Sequence, residues 1–144
     1  KHVNHVTTAG FETGLIYGPF TLQAEYIQQS VSREEGYDEF DYSGNYVSLS
    51  YMLTGESKLY QKDNGSIGMA KPESGYGALE MAYRISNVDM TDKGRDRGEM
   101  TSRTLGLNWY FNKNFRIMYN YTYIESAELA DNMNFSQVRM QYAF

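Results

Sequence analysis

The last ten residues, Phe135 to Phe144, read F-S-Q-V-R-M-Q-Y-A-F, and they narrow the choice of fold more than any other stretch. Val138, Met140, Tyr142 and Phe144 fall on one face at period two, and Gln137, Arg139, Gln141 and Ala143 fall on the other. Period two belongs to a β-strand. In a soluble sheet the polar face meets water and the apolar face meets a core. A transmembrane barrel inverts this: the apolar face meets lipid, the polar face meets a water-filled lumen, and aromatic side chains gather at the membrane edges. The second arrangement implies transport through a pore rather than catalysis.

The same alternation recurs along the chain and predicts an all-β antiparallel meander of about seven strands. Strands are expected over residues 11–17, 20–29, 45–53, 77–88, up to Phe111, from Phe115 to Tyr123, and at the end. Residues 1–10 are expected to be an N-terminal loop segment, and 11–144 the strand region. Segment 54–74 has no convincing period. No stretch has a helical stripe over three turns, and none approaches the roughly 20 apolar residues of a spanning helix. The start, Lys1-His2-Val3-Asn4, lacks a signal-peptide pattern, so the chain is expected to be mature or part of something longer.

Connection lengths add direction. Gly18-Pro19 and Asn112-Lys113-Asn114 make short turns, while 30–43, 89–99 and 125–134 are longer and polar. Bacterial barrels have short periplasmic turns and longer outer loops. By strand parity Tyr17, Phe20, Trp109, Phe111, Phe115 and Phe144 fall on the short-turn side, where they would form an aromatic girdle. Segment 54–74 is the exception, a long connection on the short side.

Composition removes several function classes. The net charge of −5 argues against nucleic-acid binding, which needs a basic surface. With no cysteine, disulfide scaffolds and thiolate zinc sites are impossible. His2 and His5 have no obvious third ligand, so no metal site is expected. The acidic run around Glu34, Glu35, Asp38, Glu39 and Asp41 lacks the EF-hand order and reads as a solvated loop. No nucleophile elbow, P-loop or dinucleotide fingerprint occurs, so neither an enzyme nor a cofactor is expected.

What remains is the polar strand face. Arg84, Arg116 and Arg139 have its parity, together with Glu80, Asn108, Asn120 and Gln141. In a barrel these residues line the pore. A guanidinium there offers a permanent charge and several donors to a passing anion. The competing role is structural: arginines paired along the wall with Glu80 or Glu25. Arg103 has lipid-face parity near a strand end, where a lipid phosphate or plain solvent is its partner. Lys93, Arg95 and Arg97, interleaved with acids, form a solvated loop or a lipopolysaccharide contact.

Three stretches carry a family resemblance: S-Y-M-L-T-G-E-S-K-L-Y at 50–60, G-Y-G-A-L-E-M-A-Y-R-I-S at 75–86, and T-L-G-L-N-W-Y-F-N-K-N-F-R-I-M-Y-N-Y at 104–121. In order and spacing they resemble the phosphate-selective porins O and P, over roughly residues 11–144. The resemblance implies a sixteen-stranded, homotrimeric barrel of the bacterial outer membrane, seated in lipid and lipopolysaccharide and passing phosphate-type anions. It covers only the C-terminal portion of such a barrel. Much of the family's arginine and lysine ladder, and the loop that narrows its pore, lie in the other portion. Two rival classes follow from the residues alone. One is a soluble β-sandwich or small barrel that binds a ligand or partner. The other is a non-selective or structural outer-membrane barrel. Exposure or burial of Leu79, Met81, Leu105, Leu107, Trp109 and Ile117 separates the first rival from a membrane wall.

Overall fold

The computed structural model describes residues 3–34, 37, 39–63, 65–90, 98–126 and 132–143. Seven long strands form one antiparallel sheet: β1 (Val3–Tyr17), β2 (Phe20–Arg33), β3 (Phe40–Met52), β6 (Ala78–Asp89), β7 (Glu99–Tyr110), β8 (Phe115–Ser126) and β9 (Met133–Tyr142). Each pairs with the next in the chain, so the sheet is the meander that the alternation predicts. Between β3 and β6 two short strands, β4 (Tyr60–Gln61) and β5 (Ser66–Ile67), make a separate small hairpin.

Residues 3–10 correct the expected N-terminal loop segment. They form the first half of β1 and pair with the far half of β2, as in Thr7 with Ser30 and Ala9 with Gln28. Neither strand alternates there, because both faces are polar or mixed. The backbone ladder, rather than a buried face, sets the pairing. Strands β2 and β3 likewise run further into the expected 30–43 loop, to Arg33 and from Phe40.

The short turns have local causes. Gly18 holds a positive φ of 55°, which glycine adopts without steric cost, and Tyr17 pairs directly with Phe20 across it. In the other short turn Asn112 Oδ1 accepts from the amides of Asn114 at 2.8 Å and Phe115 at 2.9 Å. This Asx turn replaces strand hydrogen bonds while the chain reverses.

Registry sorts the faces. One row across the whole sheet runs Tyr17, Phe20, Tyr51, Met81, Leu107, Tyr119 and Val138. An opposite-face row three residues further along runs Gln23, Ser48, Arg84, Thr104 and Thr122. The apolar face is open: Met81 is 47%, Leu105 51%, Leu107 44% and Trp109 44% exposed, with Leu79 and Ile117 half-buried. Along β8 the apolar rows run from Phe115 to Tyr123, about 27 Å of strand. Seven strands span about 29 Å in the other direction. The product, on the order of 800 Å², exceeds the patches of roughly 300–600 Å² that soluble monomers expose.

The buried cluster lies on the opposite, polar face. Met52, Ala78 and Tyr110 stand there with Ala70 from the β3–β6 connection, and Met69 packs against them. The fold therefore has its greasy side outward and its small core within the polar concavity.

Candidate pore wall

Polar-face side chains of β3 and of β6 through β9 line a hollow of about 500 Å³, which includes Arg84, Thr104, Asn120, Thr122 and Gln137. This makes the polar face the concave one. The sequence-predicted wall residues share that face: Glu80 pairs across with Asn108, Asn120 with Gln137, Arg116 with Gln141, and Met118 with Arg139. Their side chains differ in how far they are engaged.

Arg116 is tied down. Its Nε and Nη2 donate to Gln141 Oε1 at 3.0 and 2.8 Å, and Nη1 donates to the Tyr110 hydroxyl at 3.3 Å. Arg84 is half engaged. Its guanidinium lies 3.8 Å from the centre of the Tyr46 ring, and Nε donates to Ser86 Oγ at 2.9 Å. Stacking leaves its terminal nitrogens for other acceptors. Arg139 is exposed on β9, and among the described residues it has no hydrogen bond or ion pair. None of the three forms a salt bridge with Glu80 or Glu25 among the described residues.

The partner of Glu80 is one that sequence reasoning missed. Lys58, from the connection after β3, ion-pairs with Glu80 Oε1 and also donates to Ser50 Oγ at 3.3 Å. Glu80 Oε2 accepts from Asn108 Nδ2 at 2.9 Å and from the Tyr110 hydroxyl at 2.6 Å. Glu80 is 1% exposed, and a carboxylate buried that deeply is tolerable only when paired and hydrogen-bonded. The even parity of Tyr110 put a large aromatic on the polar face, which was the one available signal for this cluster. Lys58 sits in a stretch with no period and had none.

These contacts show where the described residues of segment 53–77 go. It leaves the short-turn end of β3 and folds back over the concave face. Its base is held by Leu53 N donating to Leu79 O at 2.7 Å. Its hairpin reaches the inner side of β1 and β2: a Cβ placed on Gly14 would lie 3.2 Å from Ile67 Cδ1. Tyr60 and Ile67 of the hairpin and Glu12, Gln23 and Tyr46 of the wall bound a cleft of about 610 Å³. The chain rejoins the sheet at Gly77, whose φ of 88° and contact with the Tyr110 carbonyl leave no room for a side chain.

Of the aromatic residues expected at the short-turn end, Tyr17, Phe20, Trp109, Phe111 and Phe115 point to the apolar face. Phe20 packs on Tyr51 at 4.6 Å between ring centres, Trp109 on Phe111 at 4.0 Å, and Phe111 on Phe115 at 5.5 Å. Tyr17 is 78% exposed. The Tyr17–Phe20 row and the Phe111–Phe115 row are four residues apart along the strands. Strands tilted by about 40° need an offset of this size to keep one height in a membrane. Phe144 lies outside the described residues, as do Lys93, Arg95, Arg97, Glu35, Asp38 and His2. Arg103, on the apolar face, pairs with Glu125 at 2.6 Å, with both side chains 42% exposed. No helix is long and apolar enough to cross a membrane, and no group of three metal-ligating side chains occurs among the described residues.

A sheet with an open apolar face, a polar concave face and short turns at one end is the wall of a transmembrane β-barrel. The family described as phosphate-selective porin O and P matches residues 2–144, and the chain belongs to it. Porin O of Pseudomonas aeruginosa is 30% identical over 151 residues, covering 94% of this chain and 34% of that protein. An uncharacterised protein of Caulobacter vibrioides is 26% identical over 117 residues, covering 78% of the chain and 23% of that protein. The chain thus spans about a third or less of the length of these relatives.

Proposed function

We propose that this chain is the C-terminal part of a trimeric bacterial outer-membrane porin through which small anions of the phosphate type diffuse passively. The observation that carries the proposal is the pairing of the two faces. An apolar band of membrane height lies outside, and a hydrogen-bonding, arginine-bearing surface lies inside. A bilayer accepts such a sheet only when its edges are closed. Among the described residues β1 and β9 each have one edge without a strand partner, so the proposal includes further strands that complete the barrel. Tyr17, Phe20, Trp109, Phe111, Phe115 and Phe144 act as its periplasmic girdle, and the lumen is lined by Arg84, Arg116, Arg139, Asn108, Asn120 and Gln141, while Glu80, on the same face, is buried beneath segment 53–77.

Passive diffusion needs a site that attracts an ion and releases it. One guanidinium attracts a monovalent anion about 4 Å away by roughly 1 kcal/mol in bulk water and roughly 4 kcal/mol at an effective dielectric of about 20. In a wide wet lumen the lower value applies, so each arginine biases the traffic without trapping it. The test is the reversal potential of the full-length protein in planar bilayers under a potassium chloride gradient. An anion preference that falls when Arg84, Arg116 and Arg139 are replaced together is expected. Cation preference unchanged by that replacement would reject anion selectivity and leave a non-selective pore. Absence of conductance would leave a structural barrel.

A further inference from the structure

We propose that Lys58 and Glu80 form a latch that sets the width of the ion path, a proposal that rests on the pore reading above. The pair pins segment 53–77 to the concave face, and losing it lets the segment leave the lumen.

The two halves of the latch are built differently. Glu80 is preset by the sheet. Asn108 and Tyr110 fix its Oε2, while Oε1 accepts no hydrogen bond of regular geometry and meets the Lys58 ammonium. Lys58 is carried by the segment, and its side chain is 13% exposed. Lys62 and Lys71, the other two lysines of the segment, are exposed. Among the described residues the remaining apolar hold on the segment is slight. Its apolar contribution to the buried cluster is Ala70, with Met69 alongside, and its own hairpin has two residues per strand. Removing either charge leaves the other buried and unpaired, which a segment with so little apolar anchorage relieves by detaching.

The latch also cancels the charge of Lys58. This separates the proposal from a purely electrostatic role. If Lys58 and Glu80 acted only through their charge, K58M and E80Q would shift anion conductance in opposite directions. As halves of a latch they shift it in the same direction, upward. E80Q keeps the shape of the side chain and an acceptor for Asn108 and Tyr110, so it removes the charge alone.

The experiment compares full-length porin with K58M, E80Q and K58E/E80K by single-channel conductance in symmetric potassium chloride. In parallel, maleimide labelling of Ala70→Cys is followed in each background. Ala70 is 1% exposed and this sequence has no other cysteine. Both single variants should raise conductance about twofold, because width governs flow through a wet pore. They should also speed labelling about a hundredfold. The reversed pair should restore both readings toward those of the parent. If Ala70→Cys disturbs folding, hydrogen exchange at the Leu53 amide, which ties the segment's base to Leu79 O at 2.7 Å, gives the same readout without it. Unchanged labelling or exchange in both single variants overturns the latch, as do opposite conductance shifts. A parent protein that does not conduct rejects the pore reading, and the labelling still decides whether the pair holds the segment.

Discussion

The strands β6 to β9 and segment 53–77 occupy the same concavity and are held there by different forces. The strands are joined by continuous backbone ladders, in which every residue contributes whatever its side chain. Among the described residues the segment is joined to the wall by one ion pair, a few hydrogen bonds and a small apolar contact. A ladder satisfies backbone groups in lipid as well as in water, so it suits the part that meets the membrane. Side-chain contacts are individually replaceable, so they suit the part that shapes the path. The wall is thus robust to changes in its polar side chains, and the segment is sensitive to them.

The largest effect expected under this contrast is on the lipid face. Leu107 stands in the middle apolar row, and Leu107→Arg should cost about 2–4 kcal/mol near the bilayer midplane. Asn120→Arg, on the concave face, should cost less than about 1 kcal/mol, since water solvates the new charge. Denaturant unfolding of the full-length protein in lipid vesicles measures both. Equal costs would mean that the two faces do not meet different solvents.

Next in size is Gly77→Ala. A left-handed φ and the Tyr110 carbonyl oppose a Cβ there, so a loss of about 1–3 kcal/mol is expected. Gly18→Ala, with a φ of 55° and nothing within 4 Å of the added atom, should lose only about 1–2 kcal/mol. The same unfolding assay ranks them. A larger loss at Gly18 would place the tighter constraint at the hairpin rather than where the segment rejoins the sheet.

The arginines should separate according to their engagement. Arg139→Ala should lower anion preference most, by a few-fold, which corresponds to roughly 1 kcal/mol. Arg84→Ala should lower it less, and Arg116→Ala least, because Gln141 and Tyr110 already occupy its donors. Reversal potentials of the three variants give the order. Arg116 in first place would show that hydrogen-bonded guanidinium groups serve the ion as well as free ones.

Asn112→Ala should have the smallest effect, a loss of about 1 kcal/mol, from removing the acceptor of two turn amides that water then partly satisfies. A loss above about 3 kcal/mol would mean that the turn, and not the ladder, sets the register of β7 against β8.

The strands were most legible where a membrane face imposes alternation. Leu79, Met81 and Tyr83 against Glu80, Ala82 and Arg84 reveal both the element and its two sides, because lipid and water select opposite chemistries at successive positions. Beyond the apolar band that selection stops. Residues 3–10 carry no alternation and were expected as a loop, yet the ladder with β2 continues through them. The shared face of Arg84, Arg116 and Arg139 followed from parity alone. Their unequal engagement did not, since it depends on Tyr46, Gln141 and Tyr110 brought near by pairing across strands.

The sequence by itself determined the meander, the facing of its side chains and the family, because each is written in local period and in the order of short motifs. The tertiary structure alone decided that segment 53–77 lies over the concave face and that Lys58 is the partner of Glu80. Those two residues are 22 positions apart in the chain. Their meeting depends on where an aperiodic segment finds enough contacts to offset the cost of ordering it, a balance that no local pattern of residues records.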